Sequence, residues 1–417
     1  MAKVQIIETS CNRRELEIEQ VKNYFSGNGY VIAEEDYNVD RSADVIILST
    51  CGFTQAAEDF GLKTLKTIEN EKKPGARIIV GGCLPKINKT ILEGYDTFDP
   101  RSYELLDSFF DMKHKFNEFI RPNTIKYLQF SKKYREHGVM STDIERLDVA
   151  GKITSIENSK AVEEITKIVR DKSPSTFRIQ CMLGCACKCT YCAIKFAIGS
   201  IKSLPPETIL DNIKNGIKGN FTNILLEGDS LGSYGYDIGT DLGQLLDSII
   251  VVIKDEPVQI SIPDISPLFL DKCVDQIIKL SKMEKLFNFY TPVQSGSQRI
   301  LDMMRRGYKI DKVKGLIYKI KSSCPDLKCG TSLIVGFPSE TEDDFQKTLE
   351  VCKELKFDYI YCHSYSDRNG TEASILPNKI SDDIILRRAR NLKSELNSVT
   401  PFITIAEDTA GNLTCQG

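Results

Sequence analysis

Apolar residues fall into two patterns that alternate along the chain. Short continuous runs at 4–7, 44–48 and 77–82 are separated by longer stretches where apolar positions recur every three or four residues. The runs predict buried strands, and the stretches predict helices over 14–28 and 54–72. In 14–28 the apolar stripe is Leu16, Ile18, Val21, Tyr24 and Phe25, and Gly27 and Gly29 close it. Strand–helix alternation predicts a parallel sheet with helices packed on it. Ligands of such a sheet bind outside the carboxyl ends of its strands.

The pattern loosens between 88 and 175. Helical pieces are expected at 103–120 and 161–171, with a polar, turn-prone stretch at 135–152. From 176 the alternation resumes. Strands are expected at 176–180, 223–226, 258–262, 287–290, 331–335 and 359–362. Helices are expected at 206–218, 241–253, 267–281, 297–305, 311–322 and 342–355. About six strand–helix units fall short of the eight of a closed barrel, so an incomplete, open-sided barrel is expected. A closing helix at 382–398 and a strand-like run at 402–405 follow. The expected organisation is an α/β parallel-sheet domain of flavodoxin or Rossmann type (1–95), a connector (96–172), a partial (β/α)6 barrel (173–375) and a helix with a short tail (376–417).

Charge adds little to this picture. The chain has 417 residues, with 55 Lys and Arg against 58 Asp and Glu, so it is no polybasic nucleic-acid-coating protein. A local basic groove stays open, because net charge does not describe patches. No apolar run is long enough to span a membrane. The first residues, with polar side chains among the apolar ones, do not read as a signal peptide. A cytoplasmic protein is expected.

The cysteines change the picture. There are 14, against three histidines (His114, His137 and His363). A reducing compartment does not favour disulfides, so metal or redox chemistry is the better expectation. So few histidines point to thiolate ligation, in iron–sulfur clusters or structural zinc.

One loop stands out: Gly184-Cys185-Ala186-Cys187-Lys188-Cys189-Thr190-Tyr191-Cys192, directly after the first barrel strand. Cys185, Cys189 and Cys192 can hold three irons of a cubane and leave the fourth iron open. Ferredoxin loops use another spacing and add a fourth cysteine. Cys181 and Cys187 offer an alternative ligand set, or a zinc knuckle. Three further cysteines, Cys11, Cys51 and Cys83, sit at the ends of the three N-terminal strands, which a parallel sheet brings side by side. They suggest a second cubane with its own open iron; unrelated buried thiols are the other reading.

The cysteine loop resembles that of the radical S-adenosylmethionine superfamily. With Thr50-Cys51-Gly52-Phe53, Gly82-Cys83-Leu84, Pro292-Val293-Gln294-Ser295-Gly296-Ser297, Met304-Arg305-Arg306-Gly307-Tyr308, Gly336-Phe337-Pro338 and Ser364-Tyr365-Ser366-Asp367-Arg368-Asn369-Gly370-Thr371, the chain resembles its methylthiotransferases from Lys3 to Thr371. The resemblance implies two [4Fe-4S] clusters, S-adenosylmethionine, and an electron donor such as flavodoxin or ferredoxin. One cluster generates a 5′-deoxyadenosyl radical, the other supplies sulfur, and the product carries a new methylthio group. The cofactor carries the hard chemistry, and no acid–base catalytic residue is nominated. Contacts to S-adenosylmethionine are implied for Tyr191, Glu227, Gln294, Ser295, Gly296, Gly336 and Phe337. Gly336 is expected to let a flat ligand approach closely.

Two departures bear on the substrate. The small C-terminal β-barrel, the TRAM domain, that the family usually carries is expected to be missing, because few residues follow Pro401. The family's Ala-Arg-Gly after the cluster loop is Ala197-Ile198-Gly199 here. The substrate is expected to be a modified adenosine in tRNA, or a peptide or specialised metabolite. Arg305 and Arg306 read either as nucleic-acid contacts or as a solvated helix end. The alternatives are a single-cluster radical S-adenosylmethionine enzyme of another reaction type, or a cobalamin-dependent radical methyltransferase. The latter's usual Asp-x-His-x-x-Gly motif has no counterpart, because no histidine precedes His114.

Overall fold

The structure, a computed structural model, describes residues 1–33, 38–125 and 176–405. The expected helix at 161–171, the turn-prone stretch at 135–152 and the tail after 405 lie outside them. The N-terminal half runs β1 (Lys3–Glu8), α1 (Glu15–Gly27), β2 (Val31–Ile32), β3 (Val45–Thr50), α2 (Gln55–Glu71), β4 (Arg77–Gly82), α3 (Leu84–Ile87), β5 (Asp96–Thr97) and α4 (Leu106–Phe109). Its strands are all parallel in the order β2-β1-β3-β4-β5. That is the flavodoxin-like order, whose ligand crevice opens where the order reverses, between β1 and β3.

Apolar side chains cover both faces of this sheet, which is why its strands read as continuous apolar runs. Val4, Ile6, Val45, Ile47 and Ile79 pack on Ile18, Val21, Tyr24 and Phe25 of α1. Ile7, Ile46, Leu48 and Val80 pack on Leu65 and Ile68 of α2. Phe98, Tyr103, Leu106 and Phe116 join the first of these cores. Residues 103–120 are therefore not one helix. Short 3-10 turns and α4 let Tyr103 stack on Phe116 at 5.6 Å and Phe119 meet Tyr24 edge-on at 5.8 Å. Ring packing overrides helix propensity here.

The second half runs β6 (Thr176–Leu183), α5 (Ile194–Ile198), β7 (Lys202–Ser203), α6 (Pro206–Lys218), β8 (Asn223–Gly228), α7 (Leu242–Ile253), β9 (Gln259–Ile262), α8 (Val274–Lys282), β10 (Leu286–Tyr290), α9 (Gln298–Met303), α10 (Ile310–Ser323), β11 (Cys329–Val335), α11 (Glu342–Leu355), β12 (Tyr359–Ser364), α12 (Asp382–Leu396) and β13 (Phe402–Ile405). The sheet order is β13-β12-β11-β10-β9-β8-β6-β7. Six parallel strands, β6 and β8 to β12, form the expected partial barrel. β13 adds a parallel edge and β7 an antiparallel one. The expected helix at 267–281 is split into a 3-10 turn, Pro267–Lys272, and α8.

Alternation along the strands separates the barrel's two faces. Ile224, Leu226, Ile260, Ile262, Phe289, Leu333, Ile360 and Cys362 belong to the core shared with the helices. The other face carries Arg178, Glu227, Ser261, Asn288, Tyr290, Ser332, Tyr359, Tyr361 and His363, all buried. The barrel interior is therefore polar and aromatic. No helix among the described residues is long and apolar enough to cross a membrane.

Candidate functional site

Adjacent strands place the N-terminal thiols. Cys51 directly follows β3, Cys83 directly follows β4, and Cys11 lies just beyond β1. A tight turn makes this possible. Gly82 has φ +96°, and a Cβ there would stand 2.2 Å from the Thr50 carbonyl. Only glycine fits such an approach, and it lets Cys83 N–H donate to that carbonyl at 3.0 Å. Cys11 and Cys51 share a hydrogen bond, which with burial pushes the Cys51 thiol up; the charges of Cys11 and Cys83 act in the same direction. Burial also raises Cys83, although Arg14 beside it favours the thiolate. The three thiols are thus one interacting group.

The barrel thiols are gathered by the loop after β6. Gly184, at φ +85°, turns the chain where a Cβ would meet the Ser200 carbonyl at 2.1 Å. Cys185 N–H then donates to Gly199 O at 3.3 Å. Thr190 anchors the far side through Met304 O at 3.1 Å and Met303 O at 2.9 Å. Cys187 is the donor of this group. Its N–H reaches Cys185 Sγ at 3.3 Å. Its thiol bonds to both Cys185 and Cys189, which raises its own pKa and helps pull Cys185 down to about 7. Cys189 falls well below the usual thiol value, first through Cys187 and then, against burial, through Arg306 and Tyr191. Burial pushes Cys192 up to about 12.

Arg306 is neither a solvated helix end nor exposed to nucleic acid. Its side chain is buried, with Nη1 on Cys189 Sγ at 3.2 Å and Tyr191 OH at 3.3 Å, and Nη2 on Pro292 O at 2.9 Å. Arg305 is exposed and paired with Glu372 at 2.6 Å. Tyr191 and Phe337 pack with Cys189, Ile300, Met304, Ile334 and Tyr365 in an apolar shell, with Cys187 and Cys192 against it.

The other expected contacts are distributed differently. Glu227, at the end of β8, is bound by Arg178 at 2.7 Å, and Arg178 also reaches Glu15 of α1 at 2.6 Å. Gln294 stands at φ +68°, with its Oε1 buried and unpartnered. Ser295 and Gly296 are taken up by α11. Gly296 N–H donates to Thr348 Oγ1 at 2.9 Å, and a Cβ there would strike Lys347 O at 2.4 Å. Gly336 is required, but by the closing helix: at φ +82°, a Cβ would meet Ile385 Cγ1 at 2.3 Å. A side chain of α12 therefore fills the space where a Cβ at 336 would stand.

Buried ion pairs fasten the two halves together and were invisible in the sequence, because their partners lie far apart in it. Arg178 bridges Glu15 and Glu227, and Gln180 Nε2 reaches Glu17 at 2.8 Å. Arg368 pairs with Glu58 of α2 and with Gln55 Oε1 at 2.8 Å. Among the described residues, no three His, Cys, Asp or Glu side chains converge on one ion position.

Comparison with known proteins follows the same division. Residues 179–352 match the model of the Radical SAM superfamily. Residues 3–99 match that of the Uncharacterized protein family UPF0004. A probable threonylcarbamoyladenosine tRNA methylthiotransferase of Methanocaldococcus jannaschii is 29% identical over 395 residues, covering 94% of this chain and 82% of that protein. A tRNA-2-methylthio-N(6)-dimethylallyladenosine synthase of Fusobacterium nucleatum is 30% identical over 412 residues, covering 95% and 84%. Among solved structures, the radical S-adenosylmethionine methyltransferase TsrM of Kitasatospora setae, with tryptophan and a cofactor analogue bound, aligns at TM-score 0.58. The alignment covers 90% of this chain and 75% of that one. At 10% identity, that likeness shows the fold alone.

Proposed function

Because the chain belongs to the radical S-adenosylmethionine methylthiotransferases, we propose that it inserts a methylthio group at an unactivated C–H carbon of a modified adenosine in tRNA. One observation carries this reading. Two groups of three thiols, each just beyond the carboxyl ends of parallel strands, stand on two halves that a buried, ion-paired interface joins.

Cys185, Cys189 and Cys192 would hold one [4Fe-4S] cluster, and Cys11, Cys51 and Cys83 a second. The donor sets fit, since all six thiols are free and each set leaves one iron of a cubane open. When bound, these groups supply the electron that cleaves S-adenosylmethionine and the sulfur that is transferred. The chain's own residues prepare the sites. Arg306 favours the Cys189 thiolate, and Cys187 donates to its neighbours. Tyr191 and Phe337 pack around the buried Cys189. Glu227 offers a carboxylate to the cofactor's ammonium, and Gln294 Oε1 offers a buried acceptor. Ser295, Gly296 and Gly336 shape the surrounding turns. A flavodoxin- or ferredoxin-type protein would supply the electron.

The barrel interior favours one kind of substrate. Asn288 Oδ1 and Tyr359 OH are buried without a partner, beside Tyr290 and Ser332. Burying such groups against hydrocarbon is costly. These groups lie level with the first residues of β11, below the carboxyl ends where the cysteine loop stands. An N6 substituent on the adenosine therefore has to be long enough to reach down the barrel and polar enough to pair there, which suits the threonylcarbamoyl kind better than a dimethylallyl group.

The test has two arms. Iron, sulfide and Mössbauer spectra are measured on anaerobically reconstituted wild type and on the Cys11→Ala/Cys51→Ala/Cys83→Ala variant. About eight irons falling to about four supports two cubanes; about four in both refutes the second. Nucleosides from tRNA incubated with enzyme, reductant and S-adenosylmethionine are then analysed by mass spectrometry. Methylthiolated adenosine supports the reading. Cofactor cleavage that leaves tRNA unmodified, with a peptide or metabolite modified instead, overturns the tRNA assignment.

A further inference from the structure

Asp229 lies between the two cysteine groups and uses both carboxylate oxygens to join them. Its Oδ2 accepts from Gly184 N–H at 2.8 Å, one residue before Cys185. Its Oδ1 accepts from Arg14 Nη2, three residues after Cys11. Both side chains are buried, Arg14 to 2% exposure and Asp229 to 4%. Arg14 is fixed from behind as well, with Nη1 on Glu17 Oε1 at 3.0 Å. Arg13 repeats the link on the backbone, donating to Gly228 O at 2.8 Å and Asp229 O at 3.2 Å, and pairs with Asp264 at 3.1 Å.

This link is not needed merely to hold the halves together. Arg178 with Glu15, Gln180 with Glu17, and Arg368 with Glu58 and Gln55 do that at other points of the interface. What Asp229 connects is the Cys11 turn and the Cys185 turn. A carboxylate bound at both oxygens leaves neither loop free to move without breaking a charge-assisted bond in a dry interface.

We propose that Asp229, held by Arg14, is a positioning residue that fixes the separation of the two cysteine groups and so couples cofactor cleavage to methylthio transfer. This rests on the methylthiotransferase reading above. Arg14 and Asp229 take no part in bond making. They set the distance between the group that supplies sulfur and the place where the substrate carbon is activated, and such distances govern rate steeply.

The experiment compares wild type, Arg14→Gln and the conservative Arg14→Lys in the reconstituted full chain. Iron content, 5′-deoxyadenosine and methylthiolated product are measured together, with magnetic broadening between the two reduced clusters in electron paramagnetic resonance. Hydrogen exchange at the Gly184 amide is followed in the metal-free protein. Because Arg14 also stands beside Cys83, samples of equal iron content are compared, and in Arg14→Gln we expect 5′-deoxyadenosine within about twofold of wild type. Product per 5′-deoxyadenosine should fall at least about tenfold, with weaker broadening, faster Gly184 exchange and partial recovery in Arg14→Lys. If 5′-deoxyadenosine and product fall in proportion, or if neither changes, the positioning role is overturned. Should Arg14→Gln fail to fold, Arg14→Lys is judged on the same ratio. If wild type holds both clusters and cleaves the cofactor yet methylthiolates nothing, the function reading fails. Broadening and Gly184 exchange then decide the spacing role alone: unchanged values in Arg14→Gln overturn it.

Discussion

Arg306 Nη1 lies 3.2 Å from Cys189 Sγ, and each of the two residues is only 6% exposed. A fixed positive charge in so dry a place favours the thiolate, and it favours an added electron on any cluster that Cys189 ligates. Hydrogen bonds and charge near cluster sulfurs are known levers on reduction potential. Arg306→Gln should therefore shift the barrel cluster's potential negative by on the order of tens of millivolts. Arg306→Lys, which keeps the charge, should shift it less. A redox titration followed by electron paramagnetic resonance measures both, and equal potentials in all three proteins would show that Arg306 serves packing only.

Gly82 gives a prediction that separates the two halves. Its φ is +96°, and a Cβ at this position would stand 2.2 Å from Thr50 O, which leaves no room for alanine without moving Cys83. Gly82→Ala should lower reconstituted iron from about eight to about four per chain while the barrel retains its own cluster. Cofactor cleavage should persist and methylthiolation should not. Full iron content in this variant would mean that the turn relaxes and that Cys83 does not depend on it.

Much of this architecture is legible in the sequence, for physical reasons. β3 and β4 are buried on both faces, so they read as apolar runs between amphipathic helices. Parallel strands bring their carboxyl ends together, so cysteines after three such runs announce a shared site. The arginines are another matter. Arg14, Arg178, Arg306 and Arg368 are buried, yet a charged residue in a polar stretch reads as solvated. Arg178 and Glu15 are 163 positions apart, Arg368 and Glu58 are 310, and only the packed halves make them partners. The Tyr103–Phe116 stack is hidden in the same way, because helical spacing and ring packing compete over one short segment. Gly336 is legible as a special position, but its neighbour, Ile385 of a helix nearly fifty residues on, is not.

Glu340 predicts a pH dependence of stability. Burial pushes its carboxyl up to about 7, against the Gly336 N–H and the Arg388 guanidinium that favour its charge. An ordinary glutamate titrates near 4.5. Between those values the folded chain holds a proton that the unfolded chain has released. The stabilisation is full below about 4.5 and is lost as pH rises through about 7. Relative to Glu340→Gln, metal-free protein should therefore lose a few degrees of melting temperature between pH 5 and pH 8, while the lowered Cys185 and Cys189 thiols act in the opposite direction in both proteins. Equal slopes in both proteins would mean that Glu340 stays charged beside Arg388.

The polar barrel interior makes the substrate question testable without knowing the natural tRNA. Asn288 Oδ1 and Tyr359 OH lack protein partners. Tyr359 stacks on Tyr290 at 5.9 Å, and Ser332 Oγ lies 3.4 Å from His363 Nε2. A site built for hydrogen bonding rejects a ligand that cannot make them far more strongly than an apolar site rejects a polar one. Anticodon stem-loops bearing threonylcarbamoyladenosine should thus be methylthiolated at least about tenfold faster than those bearing dimethylallyladenosine. Asn288→Leu with Tyr359→Phe keeps the volume but removes the unpartnered groups, so it should cut that preference by slowing the first substrate and sparing the second. If the variant slows both equally, these side chains only pack the barrel. If wild type prefers the dimethylallyl substrate, the polar interior does not receive the N6 substituent at all.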